Sequence, residues 1–457
     1  MCGRNAAANT PSSLATGPAI PHARRNRRLG VAAGAIGGLG QAFVHPELII
    51  AGLIYALTGS PALVALVTII SKAGALAPQL WASSHLEHRP RKMPSFVLVT
   101  VVRSVGFAGL LAAMWLLTRQ VAAVPLALFF AAYLLTCVCG GTGHVIFMDM
   151  VGRMIPTQRL GSFFGARYLL GSMLAILAGV AIIQPVLGRV ELPVNYLLLA
   201  AVGGLLAIAD MTVFARCREE DGPRAEQRTT LRESLQRGMR WLRTDHNYRM
   251  YFWGRIAFRI NYLGLAFFIP YGTERLRYEG RGGLAVLGGV MVATMQLSRL
   301  AASVIWGRAA DRRGFRACLI GGGVCFFLAP SLALLAPILP PAFQVPIPGA
   351  AGTLDLPLTV YLLALVVLGL GFQGNMLGGN HFIVSSAPPH RRASYLGFLN
   401  TVTSPLTLLP LAGAALAAKA GMSAVFGLAV IGGLVSLLSA LRMRPVALEP
   451  TETGAEP

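Results

Sequence analysis

The sequence predicts an all-α integral membrane protein with twelve transmembrane helices arranged as two pseudo-symmetric six-helix bundles. Three observations carry this prediction. Apolar runs follow one another almost from end to end, basic residues gather on alternate loops, and a short motif recurs after 232 residues.

Of the 457 residues, 55% are hydrophobic and only 12% are charged, against roughly 25% charged in soluble domains. A helix crossing a hydrocarbon core about 30 Å thick needs about 20 apolar residues at ~1.5 Å rise each. Twelve segments meet this requirement: 31–56, 61–82, 95–117, 123–147, 162–185, 193–215, 249–272, 283–306, 317–338, 357–380, 394–417 and 422–442. Lipid offers the backbone no hydrogen-bond partners, which leaves helices or a closed barrel, and runs this long and continuous are helical.

The net charge of +21, from 39 Lys plus Arg against 18 Asp plus Glu, invites a nucleic-acid reading. Assigned to sides, the charge reads as topology instead. With the N-terminus inside, 28 basic residues fall on one face, six on the other (Arg119, Arg189, Arg275, Arg277, Arg281 and Lys419), and five within helices. Cytoplasmic loops carry such an excess, so both termini are expected in the cytoplasm and no nucleic-acid partner is expected.

The charged stretch between segments six and seven divides the chain. Residues 1–28 read as a disordered basic cytoplasmic tail, 29–215 as the first bundle, 216–248 as a cytoplasmic linker, 249–442 as the second bundle and 443–457 as a tail. In the linker, Thr230-Leu-Arg-Glu233 has the form of a capping box, and Leu231, Leu235, Met239 and Leu242 follow at helical spacing with arginines opposite. The pattern predicts an amphipathic helix on the inner membrane surface, a tether rather than a docked element.

Several chemistries find no support. Lys72, Lys92 and Lys419 are the only lysines, and none follows a glycine as a phosphate-cradling P-loop requires. Neither His-Glu-x-x-His nor Cys-x-x-Cys occurs, so Cys2, Cys137, Cys139, Cys217, Cys318 and Cys325 read as reduced packing residues. No Gly-x-Ser-x-Gly elbow or metal cluster suggests an enzyme, and no cofactor is implied. No apolar run precedes segment one as a cleavable leader would require.

Pro156-Thr-Gln-Arg159 with Gly165 opens segment five, and Pro388-Pro-His-Arg391 with Gly397 opens segment eleven, 232 residues later. Both are Pro-x-x-Arg-x5-Gly, and Phe163 aligns with Tyr395, which points to two related bundles. Between segments eight and nine stands Gly307-Arg-Ala-Ala-Asp311-Arg312-Arg313-Gly314-Phe315-Arg316. This resembles the signature of the major facilitator superfamily, Gly-x-x-x-Asp-Arg-x-Gly-Arg-Arg/Lys, with Phe315 in place of one basic residue. The equivalent loop between segments two and three keeps Glu87, Arg89, Arg91 and Lys92 but lacks the glycine and the aspartate.

The resemblance implies a bacterial-type secondary transporter of the inner membrane, working as a monomer by alternating access on a small solute. It also implies that Asp311, Arg308, Arg312 and Arg316 latch the inner face against segment five, with Asp149 pairing with Arg89, Arg91 or Arg153. Physically, an aspartate can accept from a helix N-terminus and arginines can grip carboxylates or carbonyls.

Ionisable groups at membrane depth cost roughly 2.5–3.5 kcal/mol on insertion scales, so they face a cavity or a partner. The candidates for substrate binding are Gln41, Lys72, Arg103, Arg259, Asn261, Gln373, Asn375 and Asn380, with Glu47 and His45 for proton coupling. Arg255 and Arg299 are expected to snorkel. Five deep cations against Glu47, taken as the one clearly central carboxylate, favour a small organic anion held by guanidinium groups and coupled to protons. Multidrug efflux is the first alternative, weakened by the lack of a Gly-Pro step in segment five. A non-transporting sensor or assembly factor on the same fold is the second.

Overall fold

A computed structural model describes residues 22–219, 230–265, 267–276, 284–346, 353–388 and 390–445. In the first half, α1 (Ala23–Phe43), a π-helical turn (Pro46–Ile50) and α2 (Ala51–Thr58) make up segment one, and α3 (Pro61–Leu76) with α4 (Gln79–Leu86) segment two. Then come α5 (Met93–Arg119), α6 (Ala123–Met154), α7 (Leu160–Ala178), which continues through a π turn into α8 (Gln184–Arg189), and α9 (Val194–Phe214). The linker helix is α10 (Leu231–Thr244). The second half holds α11 (His246–Leu265), α12 (Phe268–Arg275), α13 (Leu284–Leu335), α14 (Leu356–Ser386), α15 (Arg392–Thr403), α16 (Leu409–Ala420) and α17 (Met422–Leu441). Outside helices, Val345–Pro346 pairs antiparallel with Thr353–Leu354.

Local chemistry sets the breaks. Pro46 lacks an N–H and holds His45 out of the helical region, at φ −58° and ψ 121°, so segment one bends there. In α13, Gly314 takes φ 72°, a left-handed conformation open to glycine, and this reversal separates segments eight and nine. Ser60 caps α3 by accepting from Leu63 N, and Asp355 caps α14 by accepting from Leu358 N at 2.9 Å.

Nine helices among the described residues are long and apolar enough to cross a membrane, and one of them, Ala293–Ile338, is long enough for segments eight and nine together. The two remaining segments are helical too, but α1 carries arginines and glycines and α11 carries Arg255 and Arg259. Aliphatic side chains such as Leu98, Val105, Val180, Leu205 and Ile431 stand exposed on the outer faces, as lipid contact requires.

The structure differs from the sequence reading in two places. Residues 1–21 of the expected tail lie outside the described residues, but helix begins at Ala23, because Asn26 donates to Arg218 O at 2.9 Å and accepts from Arg218 N at 3.0 Å. The linker helix forms with both bonds of its capping box. It is docked rather than a bare tether: Ser234 and Gly238 are buried, the latter under the Phe398 ring, and Trp241 packs 5.3 Å from Tyr395.

Each half has its own apolar core, around Phe107, Phe129 and Tyr133 in the first and around Phe326, Tyr361 and Phe426 in the second. A further cluster joins both halves at the end where the linker lies, through Phe163, Phe164, Met150, Phe315, Phe382 and Phe398. Lipid tails are as apolar as these side chains, so close approach of small residues and hydrogen bonds hold such helices together. Gly38 meets Gly171 between α1 and α7, where a Cβ would lie 2.6 Å from the facing Cα. Gly141 of α6 packs on the Ala75 carbonyl, with which any Cβ would collide. Gly141→Val should therefore lower the unfolding midpoint of the detergent-solubilised protein, by a loss of roughly 1–3 kcal/mol for overpacking; an unchanged midpoint would contradict this packing.

Candidate functional site

The two halves meet along a seam, and its hydrogen bonds concentrate toward the linker end. Two carboxylates make matching contacts there. Asp311 Oδ2, at the end of the first part of α13, accepts from the Ser162 backbone N–H in the first turn of α7 at 2.9 Å. Glu87 Oε1, just after α4, accepts from Ser394 N in the first turn of α15 at 3.2 Å. Ser162 and Ser394 keep the 232-residue offset of the repeat. A helix N-terminus presents unpaired N–H groups and a positive dipole end, so each carboxylate satisfies a donor on the opposite half.

Close backbone approach makes the first contact possible. A Cβ on Gly161 would strike Gly307 O, Ala310 and Asp311, and one on Gly165 would lie 2.7 Å from Ser303 O. On the other side, Gly397 lies over Gln79 O and Ser83. The second contact is closed from below by α10, whose Arg237 Nη1 lies 3.3 Å from Glu87 Oε2. Asp245, at the end of α10, accepts from Tyr395 OH at 2.9 Å.

Beyond the carboxylates, a polar band crosses the seam. Arg255 of α11 donates to Tyr251 OH at 3.0 Å and to Asn400 Oδ1 at 2.6 Å. Asn400 in turn donates to Gln79 Oε1 of α4 at 2.6 Å, so the chain Arg255–Asn400–Gln79 runs from one half to the other. Asn380 of α14 donates to Tyr168 OH of α7 at 2.7 Å, and Leu80 N donates to Thr401 Oγ1 at 3.1 Å. His144 of α6 lies within electrostatic reach of Arg167 and of Arg255, and Tyr168 within reach of Arg299.

The sequence-derived candidates scatter around this seam. Asn380 is in it. Lys72 sits one turn before Leu76, whose carbonyl accepts from Thr401 Oγ1 at 3.3 Å. Arg259 follows Arg255 by one turn on the same face. Gln41 is exposed on α1, His45 precedes the break at Pro46, and the Glu47 side chain lies outside the described residues. Asn261 and Gln373 are buried, at 3% exposure each. Asn375 backs onto Gly322 of α13 through its own backbone.

Arg103 makes its contacts within the first half. Its Nη1 reaches Met211 Sδ at 3.6 Å and its guanidinium lies 5.5 Å from the Phe107 ring, so it ties α5 to α9 inside the first half. Arg255 does not snorkel; its guanidinium is spent on the seam. Arg299 donates to Gln296 Oε1 at 3.2 Å. Among the latch candidates, Arg308 and Arg312 are exposed, and Arg316 Nη2 donates to Leu441 O at 2.9 Å within its own half instead of gripping the other. Asp149 pairs with Arg153 at 2.8 Å, and its carbonyl accepts from Arg392 Nη1 of α15 at 3.3 Å.

Sequence reasoning missed Asp210, Tyr168 and His144, and it gave Glu87 no role. Asp210 in α9 lies 3.9 Å from Arg167, whose Nη1 donates to Gly30 O at 2.7 Å and whose guanidinium lies 4.5 Å from the Phe147 ring. Glu47 is therefore not the only carboxylate within a crossing segment, and Arg167 bonds inside the bundle rather than lying with the loop charges. The repeat held usable signals: Tyr168 and Asn400, both seam residues, share its offset.

Burial raises the Glu87 carboxyl above its usual 4.5, more than the bonds from Ser394 and Arg237 lower it. Burial also pushes Lys92 down to about 8, although Asp149, Glu87 and Glu219 oppose this. A raised carboxyl binds its proton more tightly in the closed seam than when hydrated, so closure gains as pH falls from neutral toward 4.5. After correction for intrinsic exchange, hydrogen exchange at the start of α15 should slow over that interval, and Glu87→Gln should flatten the dependence. A wild-type profile that Glu87→Gln leaves unchanged would contradict it.

A family model described as Major Facilitator Superfamily matches residues 33–406 and 287–457. Among solved structures, a bacterial homologue of the iron transporter ferroportin in an outward-facing state is similar at 15% identity and TM-score 0.68, over 92% of this chain and 99% of that one. The human organic anion transporter MFSD10 is similar at 15% identity and TM-score 0.65, over 93% and 100%. The E. coli fucose:proton symporter FucP is similar at 11% identity and TM-score 0.65, over 92% and 99%. No curated protein matches in sequence. With a family model spanning most of its length, helical segments in two halves and a seam between them, the chain belongs to the Major Facilitator Superfamily.

Proposed function

We propose that this transporter moves a small organic anion by alternating access, coupled to protons, in the inner membrane of a bacterium. The positive-inside rule places the linker end and both termini in the cytoplasm, so the described conformation is closed toward the cytoplasm. The chain works as a monomer, with lipid around it.

The observation that supports an anion most is the polar band beyond the two carboxylates. It draws Arg255, Tyr168, Asn380, Asn400 and Gln79 from both halves, with Arg299, His144 and Arg167 in reach, and Asp210 is the carboxylate beside Arg167. Guanidinium groups hold carboxylates through paired N–H donors. Arg255 gives the anion a means of acting on the seam: a carboxylate bound to it competes with Asn400, whose other bond reaches Gln79 of the opposite half. Substrate then loosens the bridge it replaces, which is differential affinity for two states in structural form. His45 and Glu47 at the bend of segment one, together with His144, are the candidate proton carriers.

Among the described residues no three His, Cys, Asp or Glu side chains converge as metal ligands, and the seam offers donors more than anionic oxygens. Uptake into proteoliposomes should favour small organic anions over sugars and lipophilic cations. Arg299→Gln should lower that uptake by roughly tenfold or more, the scale of one charge-assisted contact, with Arg299→Lys retaining part of it. Anion flux that survives both Arg255→Gln and Arg299→Gln, or flux of lipophilic cations alone, would overturn the anion assignment.

A further inference from the structure

A cleft lies where the end of α4 meets the start of α10. It holds about 500 Å³ and is lined by Trp81, Ser84, His85, His88, Arg89, Thr230 and Leu231. We propose that this cleft binds the phosphate headgroup of an anionic phospholipid from the cytoplasmic leaflet.

Charge, rim and position each bear on this. Two imidazoles and a guanidinium line the cleft, and none of the described residues that line it is a carboxylate. The neighbouring acids are turned into other bonds: Glu87 takes Ser394 N and Arg237, and Glu233 takes Thr230 N at 2.8 Å. The basic groups are held in place. His85 Nδ1 bonds to Trp81 O at 2.9 Å, its ring lies 4.6 Å from the Trp81 ring, and Arg89 Nη1 donates to Ser95 Oγ at 2.7 Å. The volume is of the order of small-ligand sites.

The rim separates a lipid from a free phosphate. Trp81 is 55% exposed and Leu231 46% exposed, and Trp81 lies less than two turns from the end of a membrane-crossing helix, the level at which tryptophan sits in bilayers. An indole and a leucine beside a basic cleft offer acyl or glycerol carbons a surface that inorganic phosphate cannot use. Anionic headgroups attract basic groups at this level of the membrane.

Occupancy of the cleft carries a mechanical consequence. The headgroup touches α4 of the first half and the first turn of α10, and α10 supplies Arg237 to Glu87 two turns further on. A bound lipid therefore holds the linker helix against the closed seam.

The test titrates the full chain, purified in detergent, with dioctanoyl phosphatidylglycerol, dioctanoyl phosphatidylcholine or inorganic phosphate, and reads the unfolding midpoint. Phosphatidylglycerol should raise the midpoint at concentrations where the other two do not. The double variant His85→Gln/His88→Gln should weaken this response on the order of tenfold, the scale of one or two hydrogen bonds to a charged group. Leu231→Asp is a second variant whose folding is protected, because a carboxylate in the first turn of a helix favours the helix. It should weaken the response as well by placing negative charge on the rim. Equal shifts with phosphatidylcholine, or a full response in both variants, would overturn the site; an equal shift with inorganic phosphate would overturn the lipid in favour of a soluble phosphate.

Discussion

The structure turns on a carboxylate held by the first turn of a helix from the opposite half, and it does so twice. Asp311 accepts from Ser162 N and Glu87 from Ser394 N. A hydrogen bond to a charged group is worth about 1.5–3 kcal/mol net, so two supply roughly 3–6 kcal/mol. Driving a two-state equilibrium from one side to the other takes about 5.5 kcal/mol. The pair is therefore of the size to bias the closed end without locking it. Both stand at the low end of the range, since burial favours the uncharged carboxyl of each. Everything else at this end supports the same closure: the glycines that bring α7 onto α13, the aromatic cluster shared by both halves, and α10 docked beneath.

A membrane forces this economy. With 12% of residues charged, the chain spends its ionisable groups at loops, where they set topology, and at the seam, where they are paired or hydrogen-bonded. Arg103 and Arg167 show that a cation inside a bundle can make its contacts within one half. One ties α5 to α9, while the other spans Asp210, Gly30 O and the Phe147 ring. Arg255 differs because its partners, Asn400 and then Gln79, lead across to the other half. A ligand acting there changes the contact between halves and not only its own binding.

The fold was largely legible in the sequence because lipid imposes a coarse rule: length and apolarity alone mark a crossing helix, and Pro46, Gly314 and the capping box at Thr230 are local chemistry that needs no tertiary knowledge. Helix ends were less so. The start of α1 depends on Asn26 meeting Arg218, a contact about 190 residues distant in the chain. The seam was legible only in part. Asp311 stood out because its loop matches a known signature, whereas Glu87 sits in a loop that lost the signature's glycine and aspartate and still reaches the same kind of helix terminus. Side-chain direction around a helix axis decides whether Arg103 or Arg255 faces a partner half, and spacing in one sequence does not fix which face is which. The docking of α10 rests on Gly238 beneath Phe398, a fit between distant residues that hydrophobic periodicity does not encode.

On the proposed function, the linker end is one closed state of a structure whose two ends open in alternation. Paired spin labels at the exposed positions Arg159 and Arg312 report on the linker end, and a second pair at the exposed positions Arg189 and Arg275 reports on the opposite end. In lipid nanodiscs, distance distributions for the two pairs should move in opposite directions as a transported solute or a lower pH is applied, one widening as the other narrows. Distances at both ends that stay fixed under every solute and pH, in protein that still catalyses flux, would contradict it.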